Sequence, residues 1–182
     1  MRQMFLLRAM FLATLFAPTL ASAQKPSPGG EVRRWVTPGS KWVVYLNRLT
    51  SRGGRLGCLL ITGFETAGRP DRHTWGFRSS GGELLLLINS FRPEDVEGNS
   101  ISFAVDGSEV AKFAIGDRPG PARDYNSVFA DVPAAQQQRI LSLLQGGRRL
   151  NLNNGGKSFE ALLDEGSAAA FKACRQEAEL VG

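Results

Sequence analysis

Two cysteines, one histidine and a cluster of arginines are the side chains whose chemistry could define this 182-residue chain. Cys58 lies in the strand-like run Leu56-Gly57-Cys58-Leu59-Leu60-Ile61-Thr62, and Cys174 in the helix-like run Ala168 to Cys174. Bonded to each other, they would clamp the last element onto one of the first and enclose nearly the whole domain. Closing a loop of that length would restrict the unfolded state by roughly 4–5 kcal/mol in the chain-entropy picture. Neither cysteine belongs to a C-x-x-C pair and neither has a histidine nearby in sequence, so the chemistry expected of them is structural. The alternatives are two buried free thiols or a bond to another chain.

Catalytic sets fare worse. His73 is the only histidine, Asp71 shares its loop, and no Gly-x-Ser-x-Gly elbow supplies a nucleophile. One histidine and two distant cysteines do not make a zinc site. Glu94, Asp95 and Glu97 sit in the polar loop FRPEDVEGNS without the spacing of a calcium loop. Asp164 and Glu165 precede the last helix-like run, where negative charge suits the helix dipole, so capping is the expected role. Gly155-Gly156-Lys157-Ser158 imitates the end of a phosphate loop but lacks the upstream glycine and a following helix. No cofactor or metal is expected, and no enzyme activity.

The one charge asymmetry runs from Arg48 to Arg78. Arg48, Arg52, Arg55, Arg69, Arg72 and Arg78 stand against Glu65 and Asp71, a local charge of +4, with Phe64, Trp75 and Phe77 interleaved. Loops at one end of a β-domain could present these arginines to an anionic partner, since a guanidinium pairs well with carboxylate or phosphate. Scattered loop charges are the competing explanation.

Residues 1–23 read as a cleavable signal peptide: Arg2 and Arg8, an apolar run from Ala9 to Leu20, then Ala21-Ser22-Ala23 before Gln24. The run is short for the roughly 30 Å of a bilayer core and carries Pro18, so no transmembrane anchor is expected after cleavage. Removal leaves 159 of the 182 residues and lowers the formal charge from +5 to +3. That size suits one domain, and that charge is far below what a dedicated nucleic-acid binder carries. The expected location is periplasmic or secreted.

The elements that must position these side chains are mostly strands. A flexible polar lead is expected over 24–40 and a single β-rich domain over 41–182. Period-two alternation places Trp42, Val44 and Leu46 on one face, and Leu56, Cys58, Leu60 and Thr62 on another. Thr74–Arg78 and Glu83–Asn89 follow, the latter apolar on both faces and so covered on both sides. A hairpin joins Ile101–Val105 to Val110–Ile115. Its apolar faces stay together if Phe103 pairs with Ala111 and Ile101 with Phe113, which predicts a three-residue loop with a bulge. A strand is expected near Tyr125–Val132 and a helix from Pro133 to Gln145, with Gln137, Ile140, Leu141 and Leu144 inward. Strands Arg148–Leu152 and Lys157–Leu163 come next. A closing helix is predicted to start near Ser167 as its N-cap, with Ala170, Phe171, Cys174 and Ala178 on one face. The fold class is mainly β (α+β): an antiparallel β-sandwich or barrel-like domain with two helices in the C-terminal half.

The order Leu143-Leu144-Gln145-Gly146-Gly147, Arg148 to Leu152, Ser158 to Leu163, Gly166-Ser167 and Ala168 to Cys174 resembles exported bacterial proteins of the invasion-associated locus B type. Trp42-Val43-Val44-Tyr45 is similar to that family's early Trp-x-Val strand, although Tyr45 and Leu46 stand where a cysteine is usual. The resemblance implies a compact β-sandwich-like envelope protein without a known catalytic centre, and it brings no site residues. The function expected is a non-catalytic periplasmic accessory or binding protein, whose partner is an envelope component or another protein, anionic in character, and not nucleic acid. Two alternatives remain: an inhibitor of a secreted enzyme acting through the arginine loops, and a small hydrolase with two acids converging in a deep cleft.

Overall fold

The computed structural model describes residues 30–49, 54–63, 74–90, 98–115 and 126–181. Among these residues the first sheet has six strands in the order β1 (Glu31–Val36), β2 (Trp42–Leu49), β3 (Arg55–Gly63), β4 (Thr74–Ser80), β5 (Glu83–Ser90) and β8 (Asn126–Asp131). The second has four, in the order β10 (Lys157–Leu163), β9 (Arg148–Asn154), β6 (Ser100–Val105) and β7 (Ser108–Ala114). Every pairing is antiparallel. Helix α1 (Ala134–Leu143) links β8 to β9, and α2 (Glu165–Val181) closes the order of elements. The architecture is the mainly β, two-helix fold that alternation and helix periodicity lead one to expect.

Register explains the core. Trp42, Thr62, Trp75 and Ile88 stand side by side across β2–β5, and Val44, Leu60, Phe77 and Leu86 form the next row. All of these are buried. Trp42 meets Trp75 edge-to-face with centroids 5.0 Å apart, and Phe77 meets Phe103 of the second sheet the same way at 5.3 Å, arrangements that add about 0.5–1.5 kcal/mol each beyond area burial. Trp42 also donates from Nε1 to the Leu162 carbonyl at 2.8 Å, a second tie between the sheets. The α2 helix packs over β2 and β3 and also touches β1 and β4. In β5, Leu84, Leu86 and Ile88 enter the main core while Leu85 and Leu87 are buried on the opposite face, as a strand apolar on both sides requires.

Three details depart from the sequence expectations. Residues 31–36 of the expected lead form β1, an edge strand in which Trp35 packs on the core opposite Val44 while Arg33 and Arg34 remain exposed; charge on an edge strand deters further pairing and also hides the alternation. The β6–β7 hairpin has a two-residue turn, Val105 facing Ser108, with Asp106 and Gly107 at φ of +50° and +82°. A bulge beyond Phe103 then restores Phe103 opposite Ala111 and Ile101 opposite Phe113. The predicted register thus holds with the extra residue placed in the strand instead of the loop. Finally, α2 starts at Glu165, and Asp164, not Ser167, caps it: Asp164 Oδ1 accepts from the Ser167 amide at 2.8 Å. Ser167 is instead buried in the third helical position.

At Gly76 strand β4 lies too close to β3 for a side chain. Its φ is +154°, and a Cβ there would lie 2.0 Å from the Leu60 carbonyl oxygen, so only glycine lets β4 sit against β3 at this point.

Candidate functional site

Cys58 and Cys174 are disulfide-bonded, with Cα atoms 5.9 Å apart and a sequence separation of 116. Both are fully buried. The bond fastens the middle of α2 to the inner face of β3. Phe171 is buried one turn earlier, and Ala170 and Ala178 pack on the same core, which is the expected inward stripe. Arg33 of β1 reaches Glu177 at 3.0 Å and lies over Trp35 at 4.9 Å, adding an exposed contact to the same seam.

The start of α2 is bracketed by polar groups. Ser40 Oγ donates to Asp164 Oδ2, lies 3.0 Å from Ser167 Oγ and accepts from the Trp42 amide at 2.9 Å. Burial pushes the Asp164 carboxyl up, but the Ser40 hydroxyl and the Ser167 amide and hydroxyl outweigh it and hold the group below its ordinary value of 3.8. An acid held ionised by capping bonds is a structural acid, as the sequence suggests for this position. Glu165, expected just before the helix, is its first residue, where its charge still suits the helix dipole.

Arg175, next to Cys174, carries the polar side of the seam. Its Nε donates to Ser79 Oγ at 3.3 Å, and its Nη2 lies 3.7 Å from Glu179 Oε1. Two clefts flank it. One, of about 500 Å³, lies between α1 and α2, with Leu141, Leu144 and Phe171 as an apolar floor and Glu165, Lys172 and Arg175 at its rim. The other, of about 290 Å³, is bounded by the start of β3, the β4–β5 turn and the C-terminal half of α2, and is lined by Arg55, Ser79, Ser80, Arg175 and Glu179. Among the described residues each cleft is lined by one carboxylate, Glu165 and Glu179 respectively. Among the described residues no three metal-ligating side chains converge, and no helix is long and apolar enough to cross a membrane.

The structure does not gather the described sequence-nominated arginines into one patch. Arg48 is the penultimate residue of β2, pairs in register with Leu56 and donates to the Gly54 carbonyl at 3.1 Å. Arg55 begins β3 and turns toward the β4–β5 turn. Arg78 lies on the sheet face away from α2, its guanidinium 5.3 Å from the centre of the Phe129 ring. Arg52, Arg69, Arg72, His73, Asp71 and the acids Glu94, Asp95 and Glu97 lie outside the described residues, as do residues 1–23.

Two further exposed arginines, Arg148 and Arg149, are engaged by acids. Arg148 and the Arg149 amide hold Asp106, whose carboxyl is lowered first by the Arg149 amide and then by Arg148. Glu160 is lowered by Asn151 and then Arg149. Sequence reasoning overlooked Arg175 because it sought arginines in loops. The available signal was spacing: Arg175 follows Phe171 by four residues and precedes Ala178 by three, so it borders the buried stripe.

Comparison of the chain with protein-family models, curated proteins and solved structures finds no match.

Proposed function

We propose that this chain is an exported, non-catalytic accessory or binding protein of a bacterial envelope, of the invasion-associated locus B type. The observation that carries the reading is the buried Cys58–Cys174 bond. A bond joining β3 to α2 is a scaffold device suited to an oxidising compartment, where such bonds persist. The leader-like residues 1–23 supply the route to that compartment. The α2 seam, with a cleft on each side of Arg175, is the surface on which a partner is engaged, and the partner is an envelope component or another protein with anionic groups.

Export is tested by expressing the full chain in a Gram-negative host beside a chain lacking residues 1–23, followed by osmotic-shock fractionation. The reading expects the full chain in the periplasmic fraction, shortened to begin at Gln24, and the truncated chain in the cytoplasm. A full chain that stays unshortened in the cytoplasm contradicts it.

A further inference from the structure

The smaller cleft has the makings of an anion site. Arg55 approaches from the start of β3, and its Nη1 lies only 3.2 Å from where a Cβ on Gly81 would be, which places the guanidinium over the β4–β5 turn. Among the described residues no hydrogen bond or ion pair engages Arg55. Arg175 enters from α2, anchored through Nε to Ser79 and by the neighbouring disulfide. Because Ser79 Oγ accepts from Arg175, its own hydroxyl hydrogen remains to be donated. Ser80 donates to the Leu56 carbonyl at 3.1 Å and stays an acceptor. Glu179, the one acid among the cleft's described lining residues, has a side chain 65% exposed, meets Arg175 at 3.7 Å and can swing into water.

We infer that this cleft binds a phosphate group, with Arg55, Arg175 and the Ser79 hydroxyl as donors and Glu179 as a built-in competitor. Phosphate is preferred to carboxylate because two guanidiniums from separate elements and a hydroxyl together need more acceptor oxygens than one planar carboxylate offers. The volume of about 290 Å³ leaves room beyond the phosphate for part of the molecule that bears it. The site is independent of whether the chain is exported, so failure of one reading leaves the other standing.

The test uses the oxidised protein and two probes. Inorganic phosphate is titrated while amide shifts of Ser79, Ser80, Gly81 and Gly82 are followed by NMR, and binding to vesicles containing phosphatidic acid is measured by flotation. Arg55→Gln and Arg175→Gln are each expected to weaken binding about tenfold, the loss of one charge-assisted contact, while Glu179→Gln tightens it. A response to inorganic phosphate identifies a soluble phosphate as the source, and a response to vesicles alone identifies a lipid headgroup. Binding to neither probe overturns the inference. So does binding that Arg55→Gln and Arg175→Gln leave unchanged while both variants keep the parent's melting temperature.

Discussion

Arg175 donates to Ser79 at 3.3 Å one strand over from the bond between Cys174 and Cys58. Ser79 stands directly across the β3–β4 ladder from Cys58, and Arg175 directly follows Cys174. A covalent tie and a polar tie therefore run in parallel from adjacent residues of α2 to adjacent strands. The disulfide fixes the helix, and the helix fixes the guanidinium at the edge of both clefts.

Removing the bond by the double change Cys58→Ala and Cys174→Ala is expected to cost about 2–5 kcal/mol, a fall in melting temperature on the order of 10 °C for a domain of this size. Urea unfolding and thermal scans measure it. Helix α2 should also become more readily cut in limited proteolysis, since it is then held only by its packing and by non-covalent ties such as Arg175–Ser79 and Arg33–Glu177.

Trp42→Phe keeps most of the buried ring but deletes the Nε1 donor to the Leu162 carbonyl. Leaving that acceptor without its partner should cost about 1–3 kcal/mol, read as a lower urea midpoint with an unchanged slope.

Gly76→Ala forces a Cβ against the Leu60 carbonyl at a positive φ. The β4–β3 ladder must yield, and a loss of about 3 kcal/mol is expected. A variant as stable as the parent would show that this close approach is not maintained in solution.

Asp164→Ala removes the cap of α2 and should cost about 1 kcal/mol at neutral pH. The folded carboxyl titrates below its ordinary value of 3.8, so its contribution is complete above that value and is lost as pH falls through the lower folded one. The melting-temperature gap between parent and variant should accordingly be constant from pH 7 to 5 and close below about pH 3.8.

Much of this fold can be read in advance because inward residues alternate cleanly in β2 and β3, and because the cysteines of β3 and α2 have only each other as intrachain partners. The register of Ile101 and Phe113 was legible from side-chain faces alone, whereas the bulge that achieves it was not, since an extra residue fits the loop or the strand equally well by pattern. Strand β1 is hard to read from sequence because an edge strand buries little and Arg33-Arg34 interrupt the apolar residues of EVRRWV. The start of α2 is not fixed by sequence because Asp164 and Ser167 are both good caps; the bond from the Ser167 amide to Asp164 Oδ1, with Ser167 buried beside Ser40, decides between them. Arg55 was nominated by local charge, but its companion Arg175 lies 120 positions later and joins it only through the disulfide-held packing of α2.

The most direct test of the central claim is an intact-mass measurement of protein recovered from the periplasm after alkylation under denaturing, non-reducing conditions. The account expects one monomeric species beginning at Gln24 with neither Cys58 nor Cys174 alkylated. A species carrying two alkyl groups, or one that retains residues 1–23, would contradict it.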